Sequence, residues 1–228
     1  MIWAYGASPT FARHAEAGSL QIDFSTGETR SILDTLHVVH GCLMVLAMGI
    51  LLPAGVLVAR FTKEKEPKTG PWAFWFWYHQ LLQYGGVACM LSGFAVAVYF
   101  QQRDGNPHFT GPHCVLGLLV VILAVTQPLN AWIRPAKTAA WRWGWEYWHK
   151  GTGWAVLVAS TAAIILGLGR INAASYFVLL YAILPAAFIV TFLVCEYRRR
   201  ARAAGYTLML NHDEESERGG GSPRGSSL

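Results

Sequence analysis

Charge is scarce in this chain. Only 14% of its 228 residues are charged, against 54% that are hydrophobic. That balance excludes an ordinary soluble domain, because the apolar runs are long enough to cross a bilayer. Carboxylates are absent from the interior of those runs. The acidic residues nearest to them, Asp34, Glu146 and Glu196, fall at their ends. A proton or ion transporter that works through buried carboxylates at the midplane is therefore disfavoured. Cysteine is sparse as well. Cys42, Cys89, Cys114 and Cys195 form no CxxC pair and read as small packing residues, with no disulfide framework expected. The opening stretch "MIWAYG" has no basic segment followed by an apolar core, so it does not read as a signal peptide. The net charge of +5 is concentrated at the ends of apolar runs, which points to membrane orientation and not to a nucleic-acid partner.

What is present is a series of five apolar stretches. They predict an all-α membrane protein with helices over about Ile32–Ala59, Trp72–Phe100, Gly111–Ile133, Trp143–Leu168 and Ala173–Tyr197. Pro53 predicts a kink in the first helix, Pro128 lies near the end of the third, and Pro185 is expected to interrupt the fifth. Ahead of the first helix, "MIWAYGAS" and "GSLQIDFSTGE" read as short strands between turns. Two short strands do not fold alone, so residues 1–32 are expected to be the end of something larger or a lid on the membrane domain. Residues 201–228 are polar, ending in "ERGGGSPRGSSL", and are expected to be a disordered tail.

Orientation follows from the loops. Let side A be the side on which the first helix begins. Side B then carries Arg60, Lys63, Lys65, Lys68, Arg134, Lys137, Arg142, Arg198, Arg199, Arg200 and Arg202, whereas side A carries Arg30, Arg103 and Arg170. Basic loops face the cytoplasm, which puts side B inside, the N-terminus in the extracellular or lumenal space, and the C-terminus in the cytoplasm of a multi-pass protein of the plasma membrane or an endomembrane. Trp72, Trp75, Trp77, Trp141, Trp143, Trp145 and Trp148 gather near side B and read as an interfacial anchoring belt.

Four histidines stand in four different apolar stretches: His40, His79, His113 and His149. Ionisable groups in membrane helices are costly and mark function. Because successive helices run in opposite directions, depth can be read from position. His40 and His113 fall near side A, and His79 and His149 fall about two turns in from side B. Each pair joins helices two apart, which are diagonal neighbours in a four-helix bundle. Two facing imidazoles suit the two axial positions of a haem iron and not the four-ligand shell of zinc. A flat macrocycle needs small residues beside its ligands. Gly117 and Gly153 follow His113 and His149 by four, Gly86 and Gly93 follow His79 by seven and fourteen, and Gly41 adjoins His40 with Met44 and Met48 below. His37, one turn from His40, is a weaker alternative ligand, and His108 in the side A loop reads as a solvated or propionate-contacting residue. Iron with both axial positions filled moves electrons and has no open site for oxygen chemistry.

These residues carry a resemblance. "HGCLMVLAMGILLPAGVLVARF" (His40–Phe61), "WFWYHQLLQ" (Trp75–Gln83), "HCVLGLLV" (His113–Val120), "QPLNAWIRP" (Gln127–Pro135) and "WEYWHKGTGW" (Trp145–Trp154) resemble the cytochrome b561 family, and within it the members that carry a DOMON domain ahead of the membrane domain. The likeness covers about residues 31–200, and Ile2–Phe24 is similar to the closing stretch of a DOMON domain, of which only that remnant is present. The resemblance implies a cytochrome b561 membrane domain over residues 33–200, two haem b groups, and axial pairs His40–His113 and His79–His149. It further implies electron transfer from cytosolic ascorbate to an extracellular or lumenal acceptor such as ferric iron or monodehydroascorbate, in the manner of an ascorbate-dependent reductase. Ascorbate is an anion, and Arg60, Lys137, Arg142 and Lys150 are candidate contacts for it at side B. The competing expectation is a cytochrome b subunit that passes electrons between quinol and a partner dehydrogenase. Membrane lipid is the remaining partner; a homodimer is allowed by the sequence and not read from it.

Overall fold

The computed structural model describes residues 24–63, 74–105, 107–171 and 175–219. Among them every regular element is a helix: α1 (Phe24–Met44), a π-helical segment (Val45–Leu51), α2 (Leu52–Phe61), α3 (Phe74–Arg103), α4 (Pro112–Trp132), α5 (Arg142–Arg170) and α6 (Ser175–Gly219). Five stretches are long and apolar enough to cross a bilayer, the first formed by the end of α1, the π segment and α2 together (Ile32–Phe61). This is the all-α, five-span architecture expected from the apolar runs.

Three local expectations change. The proposed second strand is partly helical, because α1 already begins at Phe24. Once an apolar span has formed a helix, extending it outward costs little per residue, and that outweighs the turn signal of Ser25–Gly27. The proposed first strand lies outside the described residues. Pro185 does not interrupt the last helix, which continues through it. A span can carry proline where its neighbours and small adjustments re-satisfy the freed carbonyl. Nor does the helix end before residue 201: α6 runs on to Gly219, while residues 220–228 lie outside the described residues. With 45 residues at about 1.5 Å each, α6 is on the order of 68 Å long, roughly twice the hydrocarbon thickness of a bilayer.

Pro53 acts through a π segment. The Leu52 N–H bonds to the carbonyl of Ala47, five residues back, immediately before the proline. Proline has no N–H and its ring crowds the carbonyl four residues earlier, so widening the helix there relieves the clash. Nearby, the Leu52 carbonyl accepts a hydrogen bond from Gln83 Nε2 of α3 at 3.1 Å, which ties α3 to the first span.

The first four spans close into a bundle. α1 and α2 pack against α3, α4 packs against α5, and thinner contacts between α3 and α4 and between α1 and α5 complete the ring. The spans of His40 and His113 are therefore diagonal, as are those of His79 and His149. Between the two histidine levels lies a packed apolar layer that includes Ala47, Met48, Leu52, Met90, Val121, Ala124 and Leu157. α6 stands outside the ring, against α2, the π segment and α5. Only 6% of its apolar window is buried, and Leu179, Leu180 and Ile183 are open on its surface. An apolar helix so little covered by protein belongs in lipid.

Candidate haem sites

At the side A end, the rings of His40 and His113 face each other across the bundle with centroids 6.1 Å apart and planes at 88°. Two imidazoles that bind one metal from opposite sides, at the ~2 Å metal–nitrogen distance of protein sites, have centroids roughly 6 Å apart. The Nδ1 of His40 donates to the Gly93 carbonyl at 2.8 Å, and the Nδ1 of His113 donates to the Ala163 carbonyl at 2.8 Å. A ligating histidine characteristically gives its other ring N–H to a backbone carbonyl, which fixes tautomer and ring plane. Each ring thus keeps Nε2 for the cavity that both residues line.

That cavity has a volume of about 940 Å³. This is near the upper end of the range for cofactor pockets. Gly41 and Gly117 line it, and a Cβ on either would meet nothing within 4 Å. The room expected beside His40 and His113 is therefore present, and the donor set, the spacing and the space all fit a bis-histidine haem. His37 and His108 also line the cavity. His37 is turned against Phe100 with ring centroids 4.0 Å apart, and its Nδ1 is bonded to the Leu33 carbonyl at 2.7 Å. His108 is exposed at the rim, where Arg170 also stands.

At the side B end, the Nδ1 of His79 donates to the Gly55 carbonyl at 2.9 Å. His149 lies close enough to His79 for the two to interact electrostatically. The ring of His149 stacks on Trp145, centroids 5.1 Å apart and planes at 8°. Trp145 donates its indole N–H to the Asn130 carbonyl at 2.9 Å, and it carries Arg142 and Arg134 over its ring at 4.6 and 5.8 Å. Trp145 is thus part of the site and not only an interfacial anchor. Trp77, Trp141, Trp143 and Trp148 are exposed, as a belt requires.

The glycines divide into two kinds. Gly117 and Gly153 border space as expected, Gly153 having only Gln127 Oε1 at 3.9 Å. Gly86 and Gly93 do not: added Cβ atoms would stand 2.6 Å from Leu52 Cδ2 and 3.2 Å from Leu43 Cβ. They let α3 approach the first span closely, and their stripe faces that span instead of a macrocycle. The sequence reading missed Gly55, whose Cβ would collide with Gln83 Nε2, and Gly167, packed on the His113 ring. Their signal was there, as glycines in spans neighbouring the histidines, but which carbonyl each histidine reaches depends on the packing of the helices.

The four basic residues considered for ascorbate are not gathered at one place. Arg60 reaches Glu196 of α6 at 3.0 Å. Arg142 and Lys150 share Glu146, at 3.0 and 2.8 Å, all on α5. Lys137 is exposed in the loop between α4 and α5 and has no carboxylate partner among the described residues. Arg134 in the same loop is half-buried over Phe76 and Trp145; burial, with Arg142 beside it, holds its guanidinium below its ordinary value.

A membrane bundle with facing histidines on diagonal helices defines a b-type membrane cytochrome. The family model described as eukaryotic cytochrome b561 matches residues 33–174, and the chain belongs to that family. A cytochrome b561, DM13 and DOMON domain-containing protein of Arabidopsis thaliana is 32% identical over 188 residues, which cover 75% of this chain and 20% of that protein. A cytochrome b561 and DOMON domain-containing protein of the same plant is 30% identical over 71% of this chain and 34% of its own length. Ferric-chelate reductase 1 of Homo sapiens is 37% identical over 62% of this chain and 24% of its own length. The chain thus spans between about a fifth and a third of these three relatives. Family membership carries haem b binding and transmembrane electron transfer by an integral membrane protein.

Proposed function

We propose that the chain is a di-haem electron conduit, with His40 and His113 as axial ligands of one haem b and His79 and His149 as those of the other. The observation that carries this reading is the facing of His40 and His113 at 6.1 Å, each with Nδ1 committed to a backbone carbonyl. Bound haem would supply reversible one-electron chemistry at iron. The protein's part is to hold four imidazoles in fixed planes, to keep the axial positions filled, and to exclude water with the apolar layer between the two levels.

The direction of transfer in this reading is from side B, in the cytoplasm, to side A, as the excess of Arg and Lys at side B supports. The donor is an anion, ascorbate, approaching the loop between α4 and α5, where Lys137 forms no ion pair among the described residues and Arg134 lies over the ring of Trp145. Arg142 and Lys150 border the same approach while tied to Glu146, and Arg60 lies apart beside α6. The acceptor, on side A beyond His108 and Arg170, is ferric iron or an oxidised ascorbate radical; relatives named ferric-chelate reductase support the first. Residues 1–32 belong in this reading to the extracellular or lumenal side, as the tail of a DOMON-type domain.

The test is an optical spectrum of the detergent-purified protein with haem quantified per chain, before and after ascorbate. Low-spin b-type bands from about two haems per chain, reduced by ascorbate, are the expected result. Bands reduced only by dithionite or a quinol would overturn the donor while leaving the ligands in place. A colourless protein that takes up no haem would overturn the whole reading.

A further inference from the structure

Three of the four candidate axial histidines share one device, and the fourth lacks it. His40, His79 and His113 each donate Nδ1–H to a backbone carbonyl of a neighbouring span, those of Gly93, Gly55 and Ala163. The Nδ1 of His149 is buried and has no hydrogen-bond partner among the described residues. Its ring lies instead almost parallel on the indole of Trp145, at 5.1 Å. That indole is itself fixed. Its N–H is held by the Asn130 carbonyl at 2.9 Å, and the Arg142 guanidinium lies over the ring at 4.6 Å while bound to Glu146 and to the Pro135 carbonyl. Arg142, Trp145 and His149 follow one another at three and four residues along α5, which puts them on one face.

We propose that Trp145 is the positioning residue of His149, fixing the plane of its imidazole by stacking. The proposal rests on the haem-ligand reading above. An imidazole whose N–H is given to a carbonyl becomes a more basic ligand, and more basic ligands favour ferric over ferrous iron. His149, with no acceptor among the described residues, is the weakest donor of the four. A stacked aromatic ring supplies the orientation that the missing hydrogen bond would otherwise have supplied, without adding that basicity. Removing the indole should do two things: free the ring to turn about its Cβ–Cγ bond, and make room for water, which a polar site of this kind would take up against Nδ1.

The experiment is made on the full-length protein in detergent, loaded with haem, comparing wild type with Trp145→Leu, Trp145→Phe and His149→Ala by low-temperature EPR and by redox titration. In Trp145→Leu, one low-spin signal should shift and the midpoint potential of that same centre should fall, while the other centre stays where it was. Trp145→Phe keeps a flat ring but loses the Asn130 anchor, so it should shift the same signal in the same direction by less. His149→Ala should abolish that signal. If both Trp145 variants match wild type in signal and potential while His149→Ala removes the signal, the positioning role is overturned and the ligand assignment stands. If His149→Ala leaves both low-spin signals intact, the ligand assignment itself falls and the proposal with it. Should Trp145→Leu fail to retain haem, Trp145→Phe decides alone: a shifted signal supports the proposal and an unshifted one overturns it.

Discussion

Gly167 lies flat against the imidazole of His113. A Cβ at that position would stand 2.8 Å from Cε1 and 3.0 Å from Nδ1 of the ring. No side chain fits there without turning the imidazole, and turning it breaks the 2.8 Å hydrogen bond from Nδ1 to the Ala163 carbonyl. α5 therefore holds His113 of α4 by a carbonyl on one turn and by a missing side chain on the next.

Gly167→Val should on this basis remove the haem at side A and spare the one at side B. The haem content would fall by about half, with the remaining low-spin centre unchanged in potential, since axial ligation is set by local geometry. Gly169→Ala is the matched control. A Cβ there meets nothing within 4 Å, so the variant should keep the wild-type spectrum. Equal haem loss in both variants would show that α5 tolerates no added methyl near its side A end, and the specific contact with His113 would lose its meaning.

Pairing by depth gives a second expectation. His40→Ala and His113→Ala should each remove the same spectral component, and His79→Ala and His149→Ala the other. The diagonal placement of the spans and the apolar layer between the levels argue for this independence. Haem quantified per chain together with EPR checks it. Loss of the side A component alone in His79→Ala or His149→Ala would overturn the pairing. The variants should be compared at the same extent of folding, since leaving one imidazole without its partner also unsettles the bundle.

How far the sequence could be read differs between the helices and their ends. Apolar runs and opposite helix directions were enough to find the spans and to sort His40, His79, His113 and His149 by depth, because both depend only on position along a helix. The ends were harder. Phe24–Glu28 and residues 201–219 look like turn and tail in composition, yet both continue an adjoining helix, whose extension needs no apolar face. The carbonyls that orient the histidines were not legible either. Gly93, Gly55 and Ala163 are backbone partners, and backbone acceptors leave no mark on residue type. Trp145 was hidden for a different reason: among so many tryptophans near side B, only the packing separates the one that stacks on His149 from those that face outward.

The last expectation concerns the basic residues at side B, which the structure sorts by partner. Arg60 of α2 and Arg199 and Arg200 of α6 converge on Glu196, at 3.0, 2.9 and 3.0 Å. The Arg60–Glu196 bond is an ion pair joining α6 to the ring of four spans, and Arg60 is expected to serve the attachment of α6. Arg60→Ala and Glu196→Ala should each lower the temperature at which the haem spectrum is lost, and the double variant should lose less than the two single losses added, as coupled partners do. Neither should change the ascorbate concentration that half-saturates reduction. Lys137→Ala should do the reverse: thermal stability stays, and the half-saturating concentration rises by about five-fold, the factor that corresponds to ~1 kcal/mol of lost attraction. That effect should shrink in high salt, because an exposed charge is screened within about 10 Å at ordinary ionic strength. Stopped-flow reduction by ascorbate across a salt series separates the two roles. A rise in half-saturation in Arg60→Ala equal to that in Lys137→Ala would return Arg60 to the donor site and remove the division drawn between them.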